Sequence, residues 1–151
     1  MKVVRVGAVI AAIMALLVTA SGVSATEPQP VTITVVTGIG GFQAPFEAPP
    51  GGPICAAGTV SNVGGRFVGW QSGSHARIIE TKRFECPDGT FDVLLRVTLD
   101  FESGDTIGTW SVLDGTSAYA SLRGAGSITG DKTDPSATTI LDTYTGGMHV
   151  D

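Results

Sequence analysis

The sequence predicts an all-β domain, a small antiparallel barrel of seven or eight strands, behind a cleaved N-terminal signal peptide. Three observations carry this expectation. Short runs rich in β-branched and aromatic residues recur at hairpin spacing, separated by glycine, proline and aspartate turns. Beyond the N-terminal apolar run, no window places apolar residues at i, i+3, i+4 and i+7 between helix caps, so almost no helix is expected. A sandwich shares that strand rhythm, but 21 glycines in 151 residues suit the bends and bulges of a small barrel better.

The chain opens with the three parts of a secretory signal. Lys2 and Arg5 supply positive charge, residues 6–20 are uncharged and apolar, and Val23-Ser24-Ala25 offers a small-residue cleavage site. The uncharged run falls short of the roughly 20 apolar residues that span a bilayer. The expected organisation is therefore a signal peptide over 1–25, a Pro-rich flexible leader over 26–30 and an antiparallel barrel domain over 31–151. The mature chain is read as secreted, into the periplasm or the extracellular space, with no membrane contact after cleavage.

Residues 31–37 alternate and are β-branched, which suits a strand. From Gly38 to Pro53 the chain holds four prolines and five glycines, so that stretch reads as a long surface loop covering one end, neither helix nor central strand. Strands are expected over 54–62, 66–71 and 75–86. Pro87-Asp88-Gly89 is a tight turn, because proline presets the bend and glycine accepts positive φ. The next strand, 90–101, is the clearest: Phe91, Val93, Leu95, Val97, Leu99 and Phe101 share one face, and Asp92, Arg96, Thr98 and Asp100 the other. Turns at 102–105 and at Asp114-Gly115 then bound strands over 106–113 and 122–130, and a last strand begins at 138 and runs to 144 or as far as 150.

Loss of Lys2 and Arg5 takes the formal charge from −5 to −7, which argues against nucleic acid and anionic membranes as partners. Cys55 and Cys86 are the only cysteines. In an exported chain an even number points to a disulfide between them. A zinc site would need two ligands beyond His75 and His149, and the paired spacing of such sites is missing.

No Gly-x-Ser-x-Gly elbow, phosphate loop, His-Glu-x-x-His or Cys-x-x-Cys occurs. Gly38-Ile39-Gly40-Gly41 imitates a nucleotide loop, but proline-rich sequence follows where a helix should start. No cofactor, metal site or catalytic residue is assigned. Glu80, Lys82 and Arg96 form either a polar cluster inside the barrel or a cross-strand ion pair on its wet face. Phe67, Trp70, Phe84 and Trp110 line an apolar ligand cavity or simply fill the core.

The segment Asp114-Gly115-Thr116-Ser117-Ala118-Tyr119-Ala120-Ser121-Leu122-Arg123-Gly124-Ala125-Gly126 resembles the Gly-Thr-Gly-x-aromatic-x-x-small-x-Gly stretch of the allene oxide cyclase and dirigent barrel families. Asp114 and Ser117 stand where those families often carry glycine. The resemblance covers the last two hairpins. It implies an eight-stranded barrel, in some members a homo-oligomer, whose cavity steers cyclisation or coupling of a hydrophobic substrate. No catalytic position of those families is matched residue by residue.

Three functions are compatible with these readings. One is a non-catalytic module binding a small apolar ligand or a partner surface. The second is an isomerase or cyclase working mostly by positioning. The third is a structural envelope or matrix protein. The state of the barrel interior separates them, since an open apolar pocket with a few convergent polar groups favours the first two and a filled interior the third.

Overall fold

The computed structural model describes residues 27–38, 43–71, 73–132 and 138–151, with the backbone alone for residues 67 and 69–71. The expected signal peptide lies outside these residues. Eight strands, each antiparallel to the next, close into an up-and-down barrel: β1 (Gln29–Gly38), β2 (Gln43–Glu47), β3 (Ala57–Gln71), β4 (His75–Cys86), β5 (Gly89–Asp100), β6 (Thr106–Gly115), β7 (Leu122–Lys132) and β8 (Thr139–Val150). Pairing of β1 with β8, from Gln29 opposite Met148 to Gly38 opposite Thr139, completes the ring. The one helical element among the described residues is a 3-10 turn, Ser117–Tyr119.

Two strand boundaries depart from expectation for physical reasons. The stretch read as a surface loop contains β2, which is a member of the closed sheet. Its Pro45 is tolerated because the ladder to β1 involves only Phe46 and Glu47, so a missing N–H at position 45 costs nothing on that side. The runs 54–62 and 66–71 belong to one strand, β3 (Ala57–Gln71), because the chain between them does not turn: Val63 is the extra residue of a bulge between Asn62 and Gly64, and Gly64 and Gly65 continue the ladder opposite Thr81 and Glu80. In addition, β1 starts at Gln29, inside the expected leader. Phe101 leaves the apolar face of β5, lying in the following turn at 41% exposure.

The period-two pattern decides what the barrel encloses. Phe91, Val93, Leu95 and Val97 are buried and point inward, while Arg96 is exposed on the outer wall and Thr98 faces the same way. One end of the interior is filled with rings. Phe84 stacks on Phe91 at 5.0 Å and meets Phe46 and Tyr144 edge-on at 5.2 and 5.7 Å. Leu122 and Met148, both fully buried, complete this filled end.

The Cys55–Cys86 disulfide fastens the same end, tying the segment before β3 to the end of β4 with Cα atoms 5.9 Å apart. Beside it the tight β4–β5 turn needs glycine, as Gly89 has φ +152° and a Cβ there would run into the Thr116 carbonyl. Midway along the tube Gly146 packs against the Ala125 carbonyl and the Trp110 ring, and a Cβ there would run into both. The Trp110 Nε1 donates to the carbonyls of Ser127 and Thr145 at 3.0 and 3.2 Å.

Candidate functional site

The other end of the barrel is hollow. The inward positions nearest the ends of β1, β4, β5 and β8 there surround a cavity of about 320 Å³, at the small end of the range of small-molecule sites, about 300–1,000 Å³. Its apolar wall is Ile78, Leu95, Val97, Leu99, Ile128 and Ile140, and its polar groups are Thr37, Asn62, Glu80, Lys82, Thr106 and Asp142.

Strand parity brings the charged residues together. On β4 the even positions face inward, so Glu80 and Lys82 follow Ala76 and Ile78 into the interior, ahead of Phe84. Lys82 is only 8% exposed, and its Nζ lies 3.6 Å from Glu80 Oε2. On β8 the inward set is Ile140, Asp142, Tyr144 and Met148. Asp142 is buried and accepts a hydrogen bond from the Thr37 hydroxyl of β1 at 3.0 Å. Burial raises the Asp142 pKa above the ordinary carboxylate value, against the opposing pull of the Lys82 ammonium and the Thr37 bond.

Tyr144 lies one inward step along β8 from Asp142, between the cavity and the rings. It is 1% exposed, and its hydroxyl has no hydrogen-bond partner among the described residues. Burial, reinforced by the charges of Asp142 and Glu80, holds that hydroxyl well above its usual pKa. It is therefore a neutral phenol at any physiological pH. Chemically the site offers an apolar sleeve, a buried ammonium and two carboxylates; Tyr144 is not among the residues that line it.

Of the residues singled out from sequence, Glu80 and Lys82 do form a polar cluster inside the barrel. Arg96 is not part of it, since its odd-even phase on β5 turns it outward, opposite Ile79. Phe84 and Trp110 belong to the packed interior and are not on the cavity wall. The side chains of Phe67 and Trp70 lie outside those described. His75 sits at the hollow end, 3.3 Å from Asp100, and His149 at the filled end, 3.2 Å from Asp151. The barrel's length thus separates them, and among the described residues no group of three or more His, Cys, Asp or Glu is placed to hold a metal. Thr37, Asn62, Asp142 and Tyr144 were not singled out from sequence. Asp142 carried the one available signal, an acid in phase with Tyr144 and Met148 on one strand.

The segment around Tyr119 forms a corner at the filled end. Its ring meets Phe91 edge-on at 5.4 Å, and its hydroxyl donates to Asp88 Oδ1 at 2.7 Å while accepting the Cys55 N–H at 3.1 Å. This tyrosine is a plug far from the cavity. Comparison of the chain with protein-family models, with curated proteins and with solved structures finds no match.

Proposed function

We propose that the chain is an exported barrel module that binds a small, largely apolar molecule in its hollow end. The observation that carries this reading is the division of the interior formed by the described residues into a filled half and a half that holds a cavity, with charged groups converging on the cavity. A protein under selection for stability alone gains nothing from a buried carboxylate whose pKa is raised by desolvation. A structural envelope role leaves that hollow unexplained. Export is supported by the signal-like N-terminus and by the Cys55–Cys86 bridge, which suits an oxidising compartment.

Ligand-observed NMR with a panel of small aliphatic and aromatic ketones, alcohols and hydrocarbons tests the reading. Wild-type protein is expected to bind members of the panel. A folded Leu99→Trp variant, with its indole in the cavity mouth, is expected to lose that binding. No binding to wild type, or binding unchanged in the variant, overturns it.

A second reading, an isomerase or cyclase, is favoured by one specific arrangement. A desolvated acid and an ammonium share the cavity wall, with a neutral phenol within electrostatic reach behind it, groups of the kind that acid–base catalysis uses. The resemblance to allene oxide cyclase and dirigent barrels supports it as well. Ser117, which stands where those families often have glycine, has φ +52°, the backbone shape that glycine adopts most readily.

A further inference from the structure

We infer that the outer wall formed by β3, β4 and β5 binds a compact oxyanion, a phosphate or sulfate ester carried on a small apolar group, between Arg77 and Arg96 with Arg66 beside them. This surface lies outside the barrel, so the inference is independent of the cavity reading and goes beyond it.

Strand register brings the three arginines together. Ile79 of β4 pairs with Arg66 of β3 on one side and with Arg96 of β5 on the other, so these side chains stand in a row on the outer face. Arg77 is the preceding outward residue of β4, opposite Thr98 and diagonal to Arg96, which sets those two Cα atoms roughly 7–8 Å apart. Arg77 and Arg96, with Val68, Ile79 and Thr98, line a depression of about 170 Å³ in this wall. All three arginines are exposed, and among the described residues no carboxylate forms an ion pair with any of them. That is unexpected in a chain whose acids outnumber its bases 14 to 7 once Lys2 and Arg5 are set aside. The acids on the outer face of β5 are engaged elsewhere: Asp92 accepts two 2.8 Å hydrogen bonds from Arg83, and Asp100 lies 3.3 Å from His75 and accepts the Glu102 N–H at 2.7 Å.

Like charges on neighbouring strands repel, and the fold itself gains nothing from gathering them without a counter-charge. An oxyanion seated among them supplies it. All three positions carry the planar guanidinium fork, which grips two oxygens of one anion at once, whereas the described lysines lie elsewhere, Lys82 inside the barrel and Lys132 at the end of β7. Val68 and Ile79 add apolar surface for the group that carries the anion. Size is limited by the rest of the molecule: an extended polyanion would run onto its acidic surface, while a compact one meets the arginines alone, the more distant acids being screened beyond about 8 Å at physiological salt.

Amide-resolved NMR titrations with phenyl phosphate, inorganic phosphate, benzyl alcohol and dextran sulfate test this. Phenyl phosphate is expected to shift the amides of Val68, Arg77, Ile79 and Arg96 and to bind more tightly than inorganic phosphate, while benzyl alcohol leaves those amides in place. The double variant Arg77→Gln/Arg96→Gln changes two exposed side chains and is expected to stay folded. It should bind phenyl phosphate about tenfold more weakly or worse, as loss of charge-assisted hydrogen bonds implies. Arg96→Lys keeps the charge without the fork and should lose part of that affinity. Shifts scattered over the whole surface, or an affinity unchanged in the double variant, overturn the inference. Equal binding by Arg96→Lys overturns the role of the fork. Dextran sulfate held at these residues more tightly than phenyl phosphate overturns the compact ligand in favour of a polyanion.

Discussion

The backbone N–H of Cys55 donates to the Tyr119 hydroxyl at 3.1 Å, so one phenol holds the disulfide-bearing segment, while its own proton goes to Asp88 in the β4–β5 turn at 2.7 Å. Three pieces of chain distant in sequence meet on a single oxygen. Tyr119→Phe is expected to cost about 1–2 kcal/mol, because the ring still packs on Phe91 while the two bonds are lost. Tyr119→Ala should cost about 3–5 kcal/mol through the cavity it leaves. Denaturant melts compare the two, and an alanine variant as stable as wild type would show that the ring does not plug the barrel.

The same phenol predicts an alkaline limit. Burial, with the Asp88 bond and charge, pushes its pKa up to about 12 from an ordinary 10.0. The folded state thus keeps a proton that the unfolded chain releases. The associated stability is complete below pH 10 and is lost as pH rises from there through about 12. Thermal midpoints measured across this window should fall in wild type, and less steeply in Tyr119→Phe. Parallel curves would remove Tyr119 as the cause.

Asp142 has the same sign, its stability also being lost as pH rises, but starting from a lower pH. Its folded-state pKa is raised by burial, so the stability linked to it is complete below the unfolded value of 3.8 and is lost as pH rises through the folded one. At neutral pH the ionised group is a net cost. Asp142→Asn keeps an acceptor for the Thr37 hydroxyl and is expected to raise the thermal midpoint at pH 7 while changing binding in the cavity. A lower midpoint would show that the Lys82 charge needs this carboxylate more than burial penalises it.

Reducing the Cys55–Cys86 bridge, which closes a loop of 31 residues, should cost about 3–4 kcal/mol in the chain-entropy model. Denaturant melts with and without reductant read the difference. Two freely alkylated thiols in unreduced protein would refute the pairing.

Leu95 is 2% exposed and points inward, whereas Thr98 faces out between Arg77 and Ile107. Leu95→Asp places a further carboxylate in the barrel interior directly opposite Glu80, at a cost of several kcal/mol, and should abolish folding. Thr98→Asp should be tolerated beside Arg77. Equal circular-dichroism melts would mean that the inward face of β5 is wrongly assigned.

The alternation in β5 made its inward face legible from sequence, because apolar and polar residues separate cleanly there. Composition misled elsewhere. Proline at 45 and the glycines on either side of the segment concealed β2, which pairs with its sequence neighbours β1 and β3. The break expected between 62 and 66 is a bulge at Val63, with Gly64 and Gly65 paired on in the same strand. One hidden strand and one divided strand offset each other, so the expectation of seven or eight strands survived both. The site was harder to read. In β8 the two faces, Ile140-Asp142-Tyr144 and Leu141-Thr143-Thr145, are almost equally apolar, and pairing with Val35 and Ile33 of β1, rather than local pattern, turns Asp142 and Tyr144 inward.

The filled and hollow halves also give the tube an axis of unequal cohesion. Strand ends beside the stacked rings, the bridge and the Tyr119 anchor can separate only when the whole sheet does. Those around the hollow have fewer interior neighbours to lose. Amide hydrogens near Phe84, Phe91 and Leu122 should accordingly exchange only through global unfolding, and those near Ile78, Leu99 and Ile140 through smaller, more frequent openings. The barrel breathes from its mouth, which is also the end where a guest would enter and leave.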